Sequence, residues 1–401
     1  MMDTQVLIVG AGPTGAVAAY ALAQRGIDVL LCEARPDCPE DMRASTFHPP
    51  TLDMLASLGL GEALGAQGLQ APVYNYRNRR TGEVFAFDLG ELADVTRHPY
   101  RLQCEQYKLT RLIAGLLATH AHARVLFNRS LVHLEQDADG VTASFAAPLA
   151  IERVRAQYLI GADGANSIVR KWLGIEFEGF TYPEKFLTLS TDYPIENHYE
   201  NLARVTYMAD PDEWSVLLRV PTLWRVLVPA AEVESDEFLC SDEKKQRIFD
   251  GLLGAGIGAT VKTYHRTVYR VHQRVARQYR QGRVLLAGDA AHLNNPLGGF
   301  GMNSGVHDAW NLVEKLSAIL LEGAPADPLL DRYERQRRTV MHEFVQAQTM
   351  RNKENLQSTS AEVQAKLQND MRRILADDTQ RRAYLLNQAM FSSLKREAEI
   401  V

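Results

Sequence analysis

The sequence predicts an α/β protein in which a doubly wound, mostly parallel sheet is interrupted by a mainly β insertion and followed by helices. Three observations predict it. Residues 5–9 form an apolar run that enters Gly10-Ala11-Gly12-Pro13-Thr14-Gly15. A second apolar run, 158–160, enters Gly161-Ala162-Asp163-Gly164. A third, 284–287, enters Gly288-Asp289 and a glycine-rich bend at 296–303, after which an amphipathic stretch begins. Each reads as a strand passing through a glycine turn toward a helix, the junction at which sheets of this kind hold polar ligands on helix N-termini.

Taken in order, residues 5–9 read as a buried strand, 13–25 as an alanine-rich helix and 27–32 as the next strand, a right-handed β-α-β unit. Residues 52–58 suggest a short helix, stopped by Gly59 and Gly61. Strands at 73–78 and 84–89 flank a Thr81-Gly82 turn. Residues 105–120 return to helical spacing, with apolar side chains at 109, 112, 113, 116 and 117. Short strands follow at 125–127, 131–136, 141–145 and 151–155. Further strands are predicted at 186–191, 203–209, 214–219, 224–229 and 263–271, with helix at 249–254. Beyond Pro328, residues 329–347, 359–377 and 378–397 lack proline and carry apolar residues at helical spacing. The predicted division is a discontinuous nucleotide-binding domain (1–72, 97–180 and 270–325), an inserted mainly β substrate domain (73–96 and 181–269) and a C-terminal helical region (326–401).

A chain of 401 residues suits two domains, and 46% hydrophobic residues suffice for their cores. The net charge of −5 and the absence of a basic stripe argue against a dedicated nucleic-acid binder. Arg332, Arg335, Arg337 and Arg338 cluster, but Asp331 and Glu334 interleave, as on a solvated helix face. Cys32, Cys38, Cys104 and Cys240 show no metal-ligand spacing, and Cys32 ends a buried strand, so a reducing cytoplasm is expected. Neither a signal peptide nor a membrane span is expected.

In the first motif Gly10 permits a tight turn, Gly12 lets main-chain amides approach a pyrophosphate, and Gly15 permits close helix–sheet packing. Glu33 follows the second strand, where a carboxylate accepts hydrogen bonds from a ribose and repels a 2′-phosphate. The alternative is a glycine turn in an ordinary α/β fold.

With Ser167 and Arg170 after the second turn, these ordered motifs resemble the signatures of the FAD-dependent aromatic hydroxylases, the single-component flavoprotein monooxygenases, over roughly residues 4–325. The resemblance implies a Rossmann-like, GR2-type FAD-binding domain. It implies that Gly10, Gly12, Pro13, Thr14 and Gly15 meet the pyrophosphate, Glu33 the adenosine ribose, and Asp289 the ribityl–pyrophosphate portion. Pro296, Gly299, Gly301, Met302 and Asn303 would pass beside the isoalloxazine. Arg43 would lie near flavin and pyrophosphate, and Gln103 would contact FAD; without the resemblance these read as a surface salt bridge and a local turn contact. Asp163 would help organise the nucleotide region and the route of the pyridine nucleotide, or else only stabilise its own turn. His292 takes a framework or flavin-adjacent role. The chain departs from the usual proline-rich segment in having Asn295-Pro296-Leu297-Gly298-Gly299, so the ring environment and substrate entry are expected to differ.

The activity implied is hydroxylation of an activated aromatic or heteroaromatic ring, of phenol, hydroxybenzoate or hydroxypyridine type, with NADH or NADPH, molecular oxygen and a flavin hydroperoxide. For substrate positioning the candidates are Tyr207 and Arg219 as a polar pair, and His48 nearer the flavin; His198, Trp224 and Arg225 are further candidates. Each also fits a packed or surface role. Alternatives are an aromatic polyketide hydroxylase, a flavin halogenase (whose WxWxIP signature is absent), a non-hydroxylating flavin oxidoreductase, or a nucleotide-responsive binding protein. A monomer or homodimer with no metal is expected.

Overall fold

The structure, a computed structural model, describes residues 2–40, 42, 44–210, 213–357 and 360–401. Arg43, Met1 and Thr359 lie outside the described residues.

The first strand, Met2–Val9, pairs in parallel with Val29–Cys32 on one side and Ile151–Gly161 on the other. Ala123–Leu126 and Val284–Leu286 extend this sheet in parallel. Val6, Leu7 and Ile8 are fully buried, as expected of a parallel strand covered on both faces. The helix Pro13–Gln24 covers one face, and its alanines allow close packing against Phe300–Glu322. Residues 151–155 and 158–160, expected as two strands, form one. Its first part pairs antiparallel with Val141–Ala146, its last with Met2–Val9.

A second eight-stranded sheet is assembled from distant segments: Val73–Asn78, Val84–Asp88, Phe177–Thr191, Val205–Ala209, Ser215–Arg219, Trp224–Ala230, His265–Ala276 and His292–Leu293. The strand expected at 186–191 starts at Phe177, because its pairing with His265–Ala276 carries through an irregularity between Thr181 and Lys185 that accommodates Pro183. The helix expected at 249–254 spans Asp242–Leu253, capped by Ser241 Oγ accepting from the Lys244 amide.

One face of this sheet packs on Asp242–Leu253 through Leu187, Leu189, Leu217, Trp224, Val226 and Phe249. The other presents Tyr74, Tyr76, Phe186, Tyr207, Val216 and Leu227, and is covered by Leu356, Met371, Leu385 and Ala389 of the C-terminal helices. Between the two sheets lies a three-stranded one: Thr46–Phe47, Arg101–Gln103 and Leu69–Ala71.

The C-terminal region begins at Ala326–Val340, with Pro328 tolerated in the first turn. Met341–Gln346 then forms a π-helical segment before Ala347–Gln357. Ala361–Ala376, Asp378–Gln388 and Phe391–Glu399 complete it. Arg337 is not on a solvated face. It is 1% exposed and meets Asp308 Oδ1 at 2.6 Å and the Glu397 carboxylate.

Candidate active site

The three glycine turns converge. Gly10 has φ +104°, and a Cβ there would collide with the main chain of Ala162 and Asp163. Gly288 has φ +61°, and a Cβ there would run into the Thr14 side chain. Only glycine allows both close approaches. They bring Asp289, exposed at its own turn, beside the start of Pro13–Gln24.

No side chain caps that helix start, and the space over Gly12 is open within 4 Å. The first-turn amides are therefore available to a phosphate, in the favourable field of the helix dipole. Glu33 sits across the turn, with Oε2 accepting from the Ala11 amide at 2.8 Å and Oε1 from the Arg35 amide at 3.0 Å. A carboxylate oxygen accepts more than one bond, so the geometry leaves capacity for a ribose. These residues fit FAD.

Asp163 is turned inward. Its Oδ1 accepts from Ser167 Oγ at 2.5 Å and its Oδ2 from the amides of Ile168 and Val169 at 2.7 and 3.0 Å. The carboxylate caps the short helix Ile168–Trp172, so its contribution here is to hold the second turn. Burial raises its pKa, against the lowering effect of these donors.

The bend before Phe300–Glu322 is held by its neighbours. Gly299 starts the helix without a side-chain cap, leaving the first-turn amides directed out of it. Pro296, Gly299, Gly301 and Met302 are half-buried. Asn303 is fully buried and fully used within the protein: Nδ2 donates to the carbonyls of Thr46 (2.8 Å) and Gly299 (2.7 Å), and Oδ1 accepts from the His48 amide (2.9 Å). Its side chain thus ties the bend to the segment before Pro49–Ser57.

His48 completes this tie. Its Nε2 lies 2.8 Å from the Gly298 carbonyl, which only accepts, so Nε2 carries the proton and Nδ1 the lone pair. Nδ1 has no hydrogen-bond partner among the described residues. The ring stacks on Phe300 at 5.3 Å. Burial, aided by the nearby Arg101 charge, holds its pKa well below the usual histidine range. Thr46 Oγ1 donates to Gln103 Oε1 at 3.1 Å, while Gln103 Nε2 is buried with no acceptor among the described residues.

Behind the bend, His292 Nε2 donates to Asp308 Oδ2 at 2.6 Å, which also accepts from the Gly288 amide at 2.9 Å. Burial pushes the Asp308 carboxyl up, but His292 and Arg337 outweigh it and hold its pKa at about 2. His292 is therefore framework.

The expected pairing of Tyr207 with Arg219 does not form. Tyr207 opposes Val216, and Val216 and Leu218 face the tyrosine-rich side of the second sheet. Arg219 alternates to the far face, its guanidinium 5.7 Å from the Trp224 ring. Trp224 donates to Glu196 at 2.6 Å and His198 meets Tyr193 at 3.0 Å, both away from the bend. Arg225 faces inward, donating to Ser45 Oγ at 3.0 Å.

The partner Tyr207 does have is Arg101, whose Nη1 donates to the tyrosine hydroxyl at 3.3 Å. Arg101 is 1% exposed and lies over the Tyr74 ring at 4.3 Å. The sequence offered one signal for it. In a strand, 101 and 103 share a face, so a flavin-facing Gln103 implies a site-facing Arg101.

A glycine-built FAD cradle joined to a polar, sheet-covered enclosure defines a flavoprotein oxidoreductase. The sequence profile described as FAD binding domain matches residues 3–348. The para-nitrophenol 4-monooxygenase of Pseudomonas sp. (strain WBC-3) is 34% identical over 84% of this chain and 84% of its own length. The 6-hydroxy-3-succinoylpyridine 3-monooxygenase of Pseudomonas putida (strain DSM 28022 / S16) is 32% identical over 88% and 89%. The crystal structure of the p-nitrophenol 4-monooxygenase of Pseudomonas putida DLL-E4 superposes with a TM-score of 0.90 at 31% identity, covering 98% of this chain and 99% of that one. The chain belongs to the FAD-binding family of single-component flavoprotein aromatic monooxygenases. It is an enzyme that uses FAD, with NADH or NADPH as electron donor.

Proposed function

We propose that this enzyme hydroxylates a single-ring phenol or hydroxypyridine bound between the 296–303 bend and the tyrosine-rich face of the second sheet. The observation that carries the reading is the buried set of His48, Arg101, Gln103 and Tyr207, drawn from three segments and abutting the bend. Bound FAD, reduced by NAD(P)H, supplies the activation of dioxygen and the oxygen atom delivered to the ring.

The protein's part is placement, charge stabilisation and exclusion of water. Amides at the uncapped start of Phe300–Glu322 would stabilise negative charge on a reduced cofactor ring bound there. The neutral His48 presents a lone pair at Nδ1 that has no partner among the described residues and is available to a hydrogen-bond donor in the site. Tyr74, Tyr76 and Tyr207 supply aromatic walls, and the C-terminal helices cover them. Gly10, Gly12, Pro13, Thr14, Gly15, Glu33 and Asp289 would hold the adenosine and pyrophosphate of the cofactor, and Pro296, Gly299, Gly301 and Met302 would border its isoalloxazine.

In the same reading, 1–72, 97–180 and 270–325 form the cofactor domain, 73–96 and 181–269 the substrate domain, and 326–401 its cover. Among the described residues no helix is long and apolar enough to cross a membrane, and a cytoplasmic monomer or homodimer acting on a small aromatic is proposed. The test is to add a panel of phenols and hydroxypyridines to the FAD-loaded protein, following flavin absorbance and the oxidation of NADH and NADPH. Compounds that perturb the flavin spectrum and accelerate oxidation support the reading; a panel that does neither overturns it.

A further inference from the structure

Arg101 is a buried cation without a counter-ion. Its guanidinium stays charged at any physiological pH. Among the described residues no carboxylate lies within ion-pair distance of it, and Nε and Nη2 have no hydrogen-bond partner at all. The groups that face it are Tyr74 and Tyr76 from Val73–Asn78, Tyr207 from Val205–Ala209, Tyr384 from Asp378–Gln388, and His48 before Pro49–Ser57. None is an anion at neutral pH: burial pushes the hydroxyls of Tyr74, Tyr76 and Tyr384 upward, and His48 stays neutral.

A charge so placed is destabilising unless something neutralises it. The Tyr207 hydroxyl and the Tyr74 ring offer only partial compensation. By contrast Arg337, also 1% exposed, is paired with both Asp308 and Glu397, and the buried Arg170 donates to the carbonyls of Ala290 and Ala165. The two unused nitrogens of Arg101 mark a position for an anionic oxygen.

We propose that Arg101 holds an ionised oxygen of the substrate, so that the enzyme selects phenols that bind as phenolates. This rests on the reading that the substrate lies between the bend and the tyrosine-rich sheet face. The O–H bond of the phenol breaks on or before binding, its proton goes to solvent, and the oxygen keeps the electron pair, so no protein group need be ionised. An electron-rich phenolate ring is also the better nucleophile toward an electrophilic oxygen. A neutral ether of the same shape fills the site without answering the charge.

The experiment uses the FAD-loaded enzyme and 4-nitrophenol, whose neutral and ionised forms absorb at different wavelengths. It is titrated across pH on both sides of its own ionisation, with 4-nitroanisole as the neutral isostere. The wild type is expected to bind the phenolate form at pH values where the free phenol is protonated, and to bind the anisole weakly. Arg101→Met is expected to lose about thirty- to hundredfold in affinity and the phenolate band at low pH, while Arg101→Lys keeps part of both.

Flavin absorbance reports separately whether a ligand lies beside the cofactor. If 4-nitrophenol perturbs the flavin but is bound neutral by the wild type, or if Arg101→Met keeps wild-type affinity and band position, the anion assignment is overturned and the site reading survives. If neither 4-nitrophenol nor any other phenol perturbs the flavin, the site reading itself fails. The wild-type titration decides the matter even where Arg101→Met does not fold.

Discussion

His48 and His307 are both buried and both held below the ordinary histidine value of 6.5, His48 well below it and His307 at about 3. Burial is the main cause for each. Below pH 6.5 the unfolded chain takes up protons that the folded chain refuses, so stability falls with decreasing pH from 6.5 toward about 3. Each group contributes a slope of about 1.4 kcal/mol per pH unit within its window. His307→Gln, which retains a donor toward Thr51 Oγ1, is expected to make the acid-side slope shallower. Urea unfolding at several pH values checks this; an unchanged slope would show that His307 is protonated in the fold. Asp289→Ala should weaken FAD retention by about 1.5–3 kcal/mol with little change in circular dichroism. Unchanged flavin affinity would remove Asp289 from the cofactor contacts.

Residue positions near glycine turns were legible in the sequence because the turn chemistry fixes the local backbone: Gly10, Gly288 and the exposed Asp289 all stand where the motifs put them. Whether a side chain looks outward or inward was not. Asp163 and Asn303 both lie in glycine-rich segments, yet their polar atoms are spent on a helix cap and on the bend. Hydrogen-bond partners far apart in sequence decide that, 257 residues apart for Asn303 and Thr46.

Among the elements, the clearest lesson is register. Tyr207 and Arg219 both lie in strands that the apolar pattern locates, but their faces follow from the pairing of Tyr207 with Val216, which no single strand encodes. The helix Asp242–Leu253 extends beyond the expected 249–254 because its charged first turns hide the apolar period; Ser241 followed by Asp242 and Glu243 is the start signal its sequence carries. In the Arg332–Arg338 cluster Arg335 is exposed, as on a solvated face, whereas Arg337 is buried, because the packing of Phe391–Glu399 against Ala326–Val340 is invisible in spacing alone. At this scale Arg337→Met should strip Asp308 and Glu397 of their shared cation and destabilise the fold by about 3–5 kcal/mol. Thermal or urea unfolding at saturating FAD measures it, and a loss below 1 kcal/mol, on the order of an exposed pair, would mean the buried network is not structural.

Across the whole molecule, the chain brings three layers to one place. The parallel sheet supplies the cofactor cradle, the three-stranded sheet delivers Arg101 and Gln103, and the second sheet supplies tyrosines under a cover of C-terminal helices. The ring of Tyr384 packs 4.7 Å from Phe87, and Arg382 and Arg381 reach Asp94 and Glu91. The helical character of this region was readable from its sequence, but its function as the cover of the tyrosine face was not, since that depends on long-range packing. The central claim is that this arrangement passes an oxygen atom from dioxygen to a phenolic ring. It is tested most directly by supplying isotopically labelled dioxygen to the FAD-loaded enzyme with NAD(P)H and a phenol that stimulates oxidation, then weighing the product and assaying peroxide. The account predicts one labelled oxygen atom in each product molecule and little peroxide. NAD(P)H consumption that ends in peroxide with an unlabelled, unchanged phenol would contradict it.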